Sequence, residues 1–268
     1  GGDGTEHEVS LRSADYLEEV LSAEDKKPAA TVTADDKTDK TDKTDKTKTE
    51  SATVPEFKVV RATLHDKRMM LADGSCGWLD GSGSFCTAGT ETHIDCVIPC
   101  IHGTPGEDGL IQGMLEVLGI PYIGCNSEAS SRCMNKITTK LHLSSLGIPH
   151  TPYKALRTPD EAARKVATEF LRLHGTIFVK AASQGSSVGC YCVREQAELW
   201  PRILEAFGYS ADVLLEKAIE HRELEVAAYE MDGKLIVTPP AEILLPNNHF
   251  YDYEEKYSHE SSSRTDVE

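Results

Sequence analysis

The sequence has no apolar run approaching the roughly 18 to 20 residues that a membrane-spanning helix requires, which removes a membrane-spanning reading. It is short of basic residues, with 28 Lys plus Arg against 44 Asp plus Glu and a formal net charge of −16. Nucleic-acid wrapping needs clustered Lys and Arg to neutralise phosphates, so that class is excluded as well. Anionic ligands must be met locally, by backbone N–H groups and individual lysines. Eight cysteines are present without a single C-x-x-C pair, and structural zinc usually needs such pairs. In a chain of 268 residues they do not read as the disulfide framework of a short secreted domain. Cys96, Cys100, Cys190 and Cys192 fall in apolar strand-like runs, where a free thiol behaves as a small hydrophobe, and a reducing compartment fits best. The sequence opens at Gly1 without a charged-then-apolar leader, so no targeting segment is read.

What is present is organised unevenly. Four consecutive Asp-Lys-Thr triplets occupy residues 36–47, and residues 23–52 contain scarcely any large apolar side chain. Such a stretch cannot offset its ordering entropy by burial and is expected to be a disordered insertion. Beyond it, residues 57–62 are expected as a strand, with a hairpin at Asp73-Gly74, and residues 74–92, rich in Gly, Ser and Thr, as irregular chain. Residues 94–102 (IDCVIPCIH) form an apolar run of strand length. A helix with Leu110, Ile111, Met114, Leu115 and Leu118 on one face follows, closed by Gly119. A short strand at 121–124 and a single helix over 127–146 complete a strand–helix–strand–helix unit, the signature of a parallel sheet. The second half restarts after Pro149 with a helix opened by Thr158 as N-cap and Pro159 at its first position. Strands are expected at 176–182, 190–194, 213–219, 224–231 and 235–244, with a helix over 195–207. The domain boundary is placed near residue 150, giving an α/β unit over 1–150 and an α+β unit over 151–268.

Several groupings could carry chemistry. The loop Gln184-Gly185-Ser186-Ser187-Val188-Gly189 joins two strands and lacks the Gly-Lys-Ser/Thr ending of a P-loop. Its N–H groups and hydroxyls can still fold over a phosphate, or simply make a turn. Lys180 ends an apolar strand beside that loop, where its charge needs a partner, and a phosphate oxygen would serve. Glu216 and Lys217 terminate another apolar strand, suited to a purine edge or to surface ion pairing. Residues 250–257 pack three tyrosines and Lys256 into eight positions, a mixture suited to a lid over anions or to an aromatic surface turn. His102 follows an apolar run at the point where open α/β sheets bind ligands, together with Glu107 and Asp108.

Taken together, five ordered blocks resemble the D-alanine:D-alanine ligases of the ATP-grasp superfamily. They are GGDGTEHEVSLRSA (1–14), HGTPGEDGLIQGMLEVLGIPYIG (102–124), FVKAASQGSSVG (178–189), LLEKAIEHRELEVA (214–227) and FYDYEEKY (250–257). The resemblance implies a Rossmann-like, pre-ATP-grasp N-terminal domain followed by an incomplete ATP-grasp domain. It implies that ATP phosphorylates one D-alanine carboxylate and that the amine of a second D-alanine displaces phosphate, giving D-alanyl-D-alanine for peptidoglycan precursors. Lys136 and Lys180 resemble the lysines on the α- and β-phosphates, Lys256 the lid lysine facing the γ-phosphate, and Ser187 a further contact of the loop. Glu216 and Lys217 resemble the adenine contacts, Ile219 the hinge backbone position, and Glu223 the ribose carboxylate. Glu6 resembles the acid that fixes the first D-alanine's ammonium, with Ser186 and Tyr257 closing the site and His102 near the dipeptide carboxylate. Tyrosine at 257, rather than the Phe of depsipeptide-forming relatives, favours an amine as second substrate.

Three positions depart from the family pattern: Asn135 for the usual Asp, Ala181 for the usual Pro, and His221 for the usual Gly, which could disturb the turn to Glu223. The first buried strand and the C-terminal acids and asparagine that hold two magnesium ions are not found, and Arg264-Thr265-Asp266 is a poor substitute for the strand preceding them. The expectation is therefore a partial ligase that binds ATP, holds no metal ligands of its own and is inactive alone. The alternatives are a non-catalytic ATP-binding or scaffold relative, or another ATP-grasp carboxylate-amine ligase. The family further implies Mg2+ in the complete enzyme, a homodimer, and a cytoplasmic setting, or a plastid one for a eukaryotic source.

Overall fold

The structure, a computed structural model, describes residues 6–22, 57–244 and 264–267. The insertion expected over 23–52 and the aromatic segment 250–257 lie outside the described residues. In chain order the elements are α1 (His7–Ser22), β1 (Thr63–His65), β2 (Arg68–Met70), β3 (Cys76–Leu79), β4 (Ser84–Thr87), β5 (Glu91–His93), α2 (Leu110–Leu118), α3 (Ser127–Met134), α4 (Lys136–Ser145) and β6 (Tyr153–Leu156). There follow α5 (Glu161–His174), β7 (Ile177–Ala181), β8 (Cys190–Val193), α6 (Gln196–Phe207), β9 (Val213–Lys217), β10 (Glu223–Glu225), β11 (Ala228–Met231), β12 (Lys234–Val237), β13 (Ala241–Leu244) and β14 (Arg264–Val267).

Residues 57–62 are not a strand. The chain enters instead an antiparallel meander, β1 to β5 in sequence order, so the stretch expected to be irregular holds three of its strands. The expected hairpin at Asp73-Gly74 links β2 to β3, with the Asp73 carboxylate accepting from the Ser75 N–H at 2.9 Å. Asp80 does the same for Ser82 at 3.0 Å. Side-chain-to-backbone bonds of this kind build the turns, and they were the signal that the Gly and Ser content obscured. Arg61 reaches back to α1, pairing with Asp15 at 2.5 Å and Glu18 at 3.1 Å.

The run 94–102 does not form a ladder; it makes one parallel bridge, Val97 with Tyr122. Pro99 and Pro121 lack the N–H groups that would extend pairing on either side. Helix α2 forms as expected, and Gly119 closes it at φ 68°. The single helix expected over 127–146 is two. Asn135 is extended, ends α3 and caps α4, accepting from Ile137 and Thr138 N–H groups at 3.0 Å each. Asn competes for backbone donors and so favours a cap over a helix interior. At α5 the cap is Asp160 rather than Thr158: it accepts from the Ala163 N–H at 2.8 Å, while Thr158 donates to Asp160 at 2.7 Å.

The centre of the second half is an antiparallel sheet in the order β6-β9-β7-β8. Strand alternation sends Ile177, Val179, Val213 and Leu215 to one face, where they pack with Phe170 of α5 and Leu199 and Ile203 of α6 in the main core. Leu214 lies on the opposite face with Ile137 of α4, Ala182 and Tyr153. Segment 224–231 divides between β10, which pairs with β13, and β11, which pairs with β12. Pro239-Pro240 likewise divides 235–244 into β12 and β13, since proline cannot donate to a ladder. Residues Arg264–Val267, dismissed on sequence, pair antiparallel with β13 as the third strand of that sheet. All eight cysteines are free; Cys96 and Cys192 are exposed rather than buried, and Cys86 is the buried one.

Candidate functional site

The site grows from the sheet face opposite the main core. In the antiparallel pairing of β7 with β9, Phe178 lies opposite Glu216 and Lys180 opposite Leu214. Lys180 and Glu216 are thus diagonal neighbours on one face, within reach of a long side chain. Their charged ends meet at 2.6 Å. β6 extends the row by placing Tyr153 opposite Glu216. The other carboxylate oxygen of Glu216 takes the ammonium of Lys140 at 2.5 Å and the hydroxyl of Thr151. Lys140 also donates to Thr151 Oγ1 at 2.8 Å and lies 5.4 Å from the centre of the Tyr153 ring.

Burial alone would push the Glu216 carboxyl upward. The charge of Lys180 and the hydrogen bonds from Lys140, Lys180 and Thr151 outweigh that effect and hold it at about 2. Lys140 and Thr151 escaped the sequence reading. The available signal was helical spacing, because residues four apart on α4 share a face with Lys136.

Lys136 opens α4. Its N–H donates to the Ala182 carbonyl at 2.9 Å, and its ammonium donates to the Gln184 carbonyl of the serine loop. Asn135 joins the same loop through Ser183 Oγ at 2.9 Å. Ser186 and Ser187 adopt left-handed backbone, at φ 48° and 62°, and the Ser186 hydroxyl donates to the Glu6 carboxylate. Glu6 is 3% exposed, and its Oε2 has no hydrogen-bond partner among the described residues. Gly103, at φ 70°, and Gly185 flank it closely: a Cβ on Gly103 would stand 2.8 Å from Oε2. His102 is fixed beside it by Ser13 Oγ on Nε2 at 2.8 Å and by its own N–H on Ser10 Oγ at 2.9 Å. Glu107 faces the other ring nitrogen at 3.5 Å.

Lys217 and Ile219 lie at the exposed end of β9, where the Lys217 N–H donates to the Pro152 carbonyl at 3.0 Å. His221 occupies the turn without breaking it, placing Nδ1 2.9 Å from the Ile219 carbonyl and Nε2 2.9 Å from Glu223. The Ile219 carbonyl, and then Glu223, raise its pKa above the usual histidine value. The residues expected to act together therefore form two groups, Glu6, His102, Ser186 and Lys136 around the serine loop, and Lys180 with Glu216 on the sheet. The strand β7 runs directly into that loop and joins them. Tyr257 and Lys256 lie outside the described residues. Among the described residues there is no group of three or more His, Cys, Asp or Glu that could hold a metal ion. No described helix is long and apolar enough to cross a membrane.

A mixed α/β chain with an antiparallel sheet bearing Lys180 and Glu216, joined to a serine loop, has the ATP-grasp fold of its structural neighbours. The D-alanyl-alanine synthetase A of Vibrio cholerae superposes with a TM-score of 0.79 at 42% identity, covering 99% of this chain and 71% of that one. The D-alanine–D-alanine ligase of Bacillus anthracis complexed with ATP superposes at 0.50 and 29% identity, over 65% of this chain and 53% of that one. In sequence, the chain is 45% identical to the D-alanine–D-alanine ligase of Aeromonas hydrophila over 267 residues, 99% of this chain and 71% of the relative. Family models described as D-ala D-ala ligase N-terminus and C-terminus match residues 1–125 and 142–268. The chain belongs to the D-alanine–D-alanine ligase family, a family of ATP-dependent, ADP-forming ligases.

Proposed function

We propose that this chain carries the nucleotide and first-substrate sites of a D-alanine–D-alanine ligase acting through an acyl phosphate. One D-alanine carboxylate oxygen attacks the γ-phosphorus of ATP and ADP leaves. The amine of the second D-alanine, having lost a proton, adds to the acyl carbon, and phosphate departs with the carboxylate oxygen. Catalysis of this type rests on holding reactants in line and neutralising the transferred group.

In this reading Lys136 and Lys180 hold the α- and β-phosphates, Ser186 and Ser187 line the phosphate loop, and Lys256 faces the γ-phosphate. Glu216, Lys217 and the Ile219 backbone meet the adenine, and Glu223 the ribose. Glu6 holds the first D-alanine's ammonium, His102 lies near the dipeptide carboxylate, and Tyr257 closes the site against the bound amino acid. The boundary near residue 150 falls between α4 and β6, and both sites draw residues from each side of it. The reading rests chiefly on Glu6, a buried carboxylate tied by one oxygen to the phosphate-loop Ser186 while the other has no partner among the described residues. A buried unpaired carboxylate oxygen is costly, and an ammonium group would satisfy it. The family implies Mg2+, which when bound would neutralise charge on the transferred phosphoryl group.

The test is D-alanine carrying a heavy-oxygen carboxylate, incubated with ATP and the chain extended by the C-terminal part of a family ligase, of whose length this chain spans 71%. Label appearing in released phosphate together with dipeptide is the expected result. ATP binding with no amino-acid-dependent phosphate release would favour a non-catalytic relative. Release with another amino acid but not with D-alanine would assign a different carboxylate-amine ligase.

A further inference from the structure

Glu216 carries two lysines where one would neutralise it. Lys140 is 9% exposed, and a buried ammonium requires a partner. It has the Glu216 carboxylate at 2.5 Å and the Thr151 side chain and carbonyl at 2.8 and 3.4 Å. Lys180 holds the second oxygen of the same carboxylate at 2.6 Å and is the more exposed of the two lysines. The cluster Lys140, Glu216, Lys180 therefore bears one surplus positive charge in a poorly solvated pocket.

We propose that Lys140 is a positioning residue, the standing counter-ion of Glu216 that leaves Lys180 free to transfer its hydrogen bonds to a nucleotide phosphate. This inference rests on the assignment of Lys180 to a phosphate made above. When Lys180 departs, Glu216 keeps Lys140 and Thr151 and remains a neutral, hydrogen-bonded pair. Without Lys140, Lys180 becomes the sole cation on a largely buried carboxylate, and moving it would strand that charge, which is strongly unfavourable. Lys140 thus acts on the phosphate end of the nucleotide without touching it.

The full chain is tested by comparing its affinity for ADP with that for adenosine, which lacks phosphates. In Lys140→Met the ADP affinity is expected to fall about tenfold while adenosine binding changes less than about twofold. Lys140→Arg keeps the charge and should restore the wild-type ratio. Adding Glu216→Gln to Lys140→Met removes the carboxylate that detains Lys180 and should raise the ratio again. Equal losses for both ligands, or no loss for ADP, overturn the proposal. If Lys140→Met does not fold, Lys140→Gln is read by the same outcomes. Lys180→Met separates the two layers. If it leaves the ratio unchanged, the phosphate assignment of Lys180 fails and takes the proposal with it. If it lowers the ratio while Lys140→Met does not, only the role of Lys140 fails.

Discussion

Glu216 gives the sheet a pH signature. Its carboxyl is depressed from 4.5 to about 2 in the folded chain, because the lysine charges and hydrogen bonds outweigh burial. A depressed carboxyl contributes stability above its unfolded pKa, and that contribution is lost as pH falls through the folded value. Folding stability is therefore expected to drop between about pH 4.5 and about 2 more steeply in wild type than in Glu216→Gln, measured by urea denaturation at a series of pH values. Equal slopes would dissociate the lysines from the titration. At this scale Lys180 was legible because a charge at the end of an apolar strand demands a partner. Thr151 was not, because a hydroxyl before Pro152 signals nothing until β6 and β9 are paired and Glu216 is beside it.

Among elements, α4 depends on its first turn. Asn135 supplies a side-chain oxygen to two backbone donors and a side-chain amide to Ser183, so one residue both starts the helix and ties it to the serine loop. Asn135→Ala should destabilise the chain by about 1 kcal/mol, and Asn135→Asp by less, since Asp caps as well but cannot donate to Ser183. Thermal or urea unfolding of the two variants checks the order. The periodicity of 127–146 was legible as helix, but the interruption was not, because a single Asn within a periodic stretch is also tolerated at an exposed interior position. The meander failed for the opposite reason. Its strands run three or four residues, too short for alternation to show, while the Asp turns that organise it resemble loop composition.

For the whole molecule, the acidic balance and the alternation of helices and strands indicated a mixed α/β chain that meets anions with individual lysines. How the sheets connect depended on pairings such as Arg264–Val267 with β13, which no local pattern announces. The ends of α1 and of the segment entering β1 are joined by Arg61 with Asp15 and Glu18, so residues 23–56 span two tethered points. Removing the 12 residues of the Asp-Lys-Thr triplets from that 34-residue connection changes loop-closure free energy by only about 0.4 kcal/mol. The shortened chain is expected to melt within about two degrees of wild type by calorimetry. A larger shift would mean that the triplets contact the rest of the protein.

The hydrogen bond from Ser186 to Glu6 joins residues 180 positions apart, whereas Lys180 and Glu216 are separated by 36. Contacts of such long range carry a closure cost that nearby pairings do not. The sheet bearing Lys180 and Glu216 can therefore assemble first, and the pocket around Glu6 is completed later in folding, when segments far apart in sequence come together.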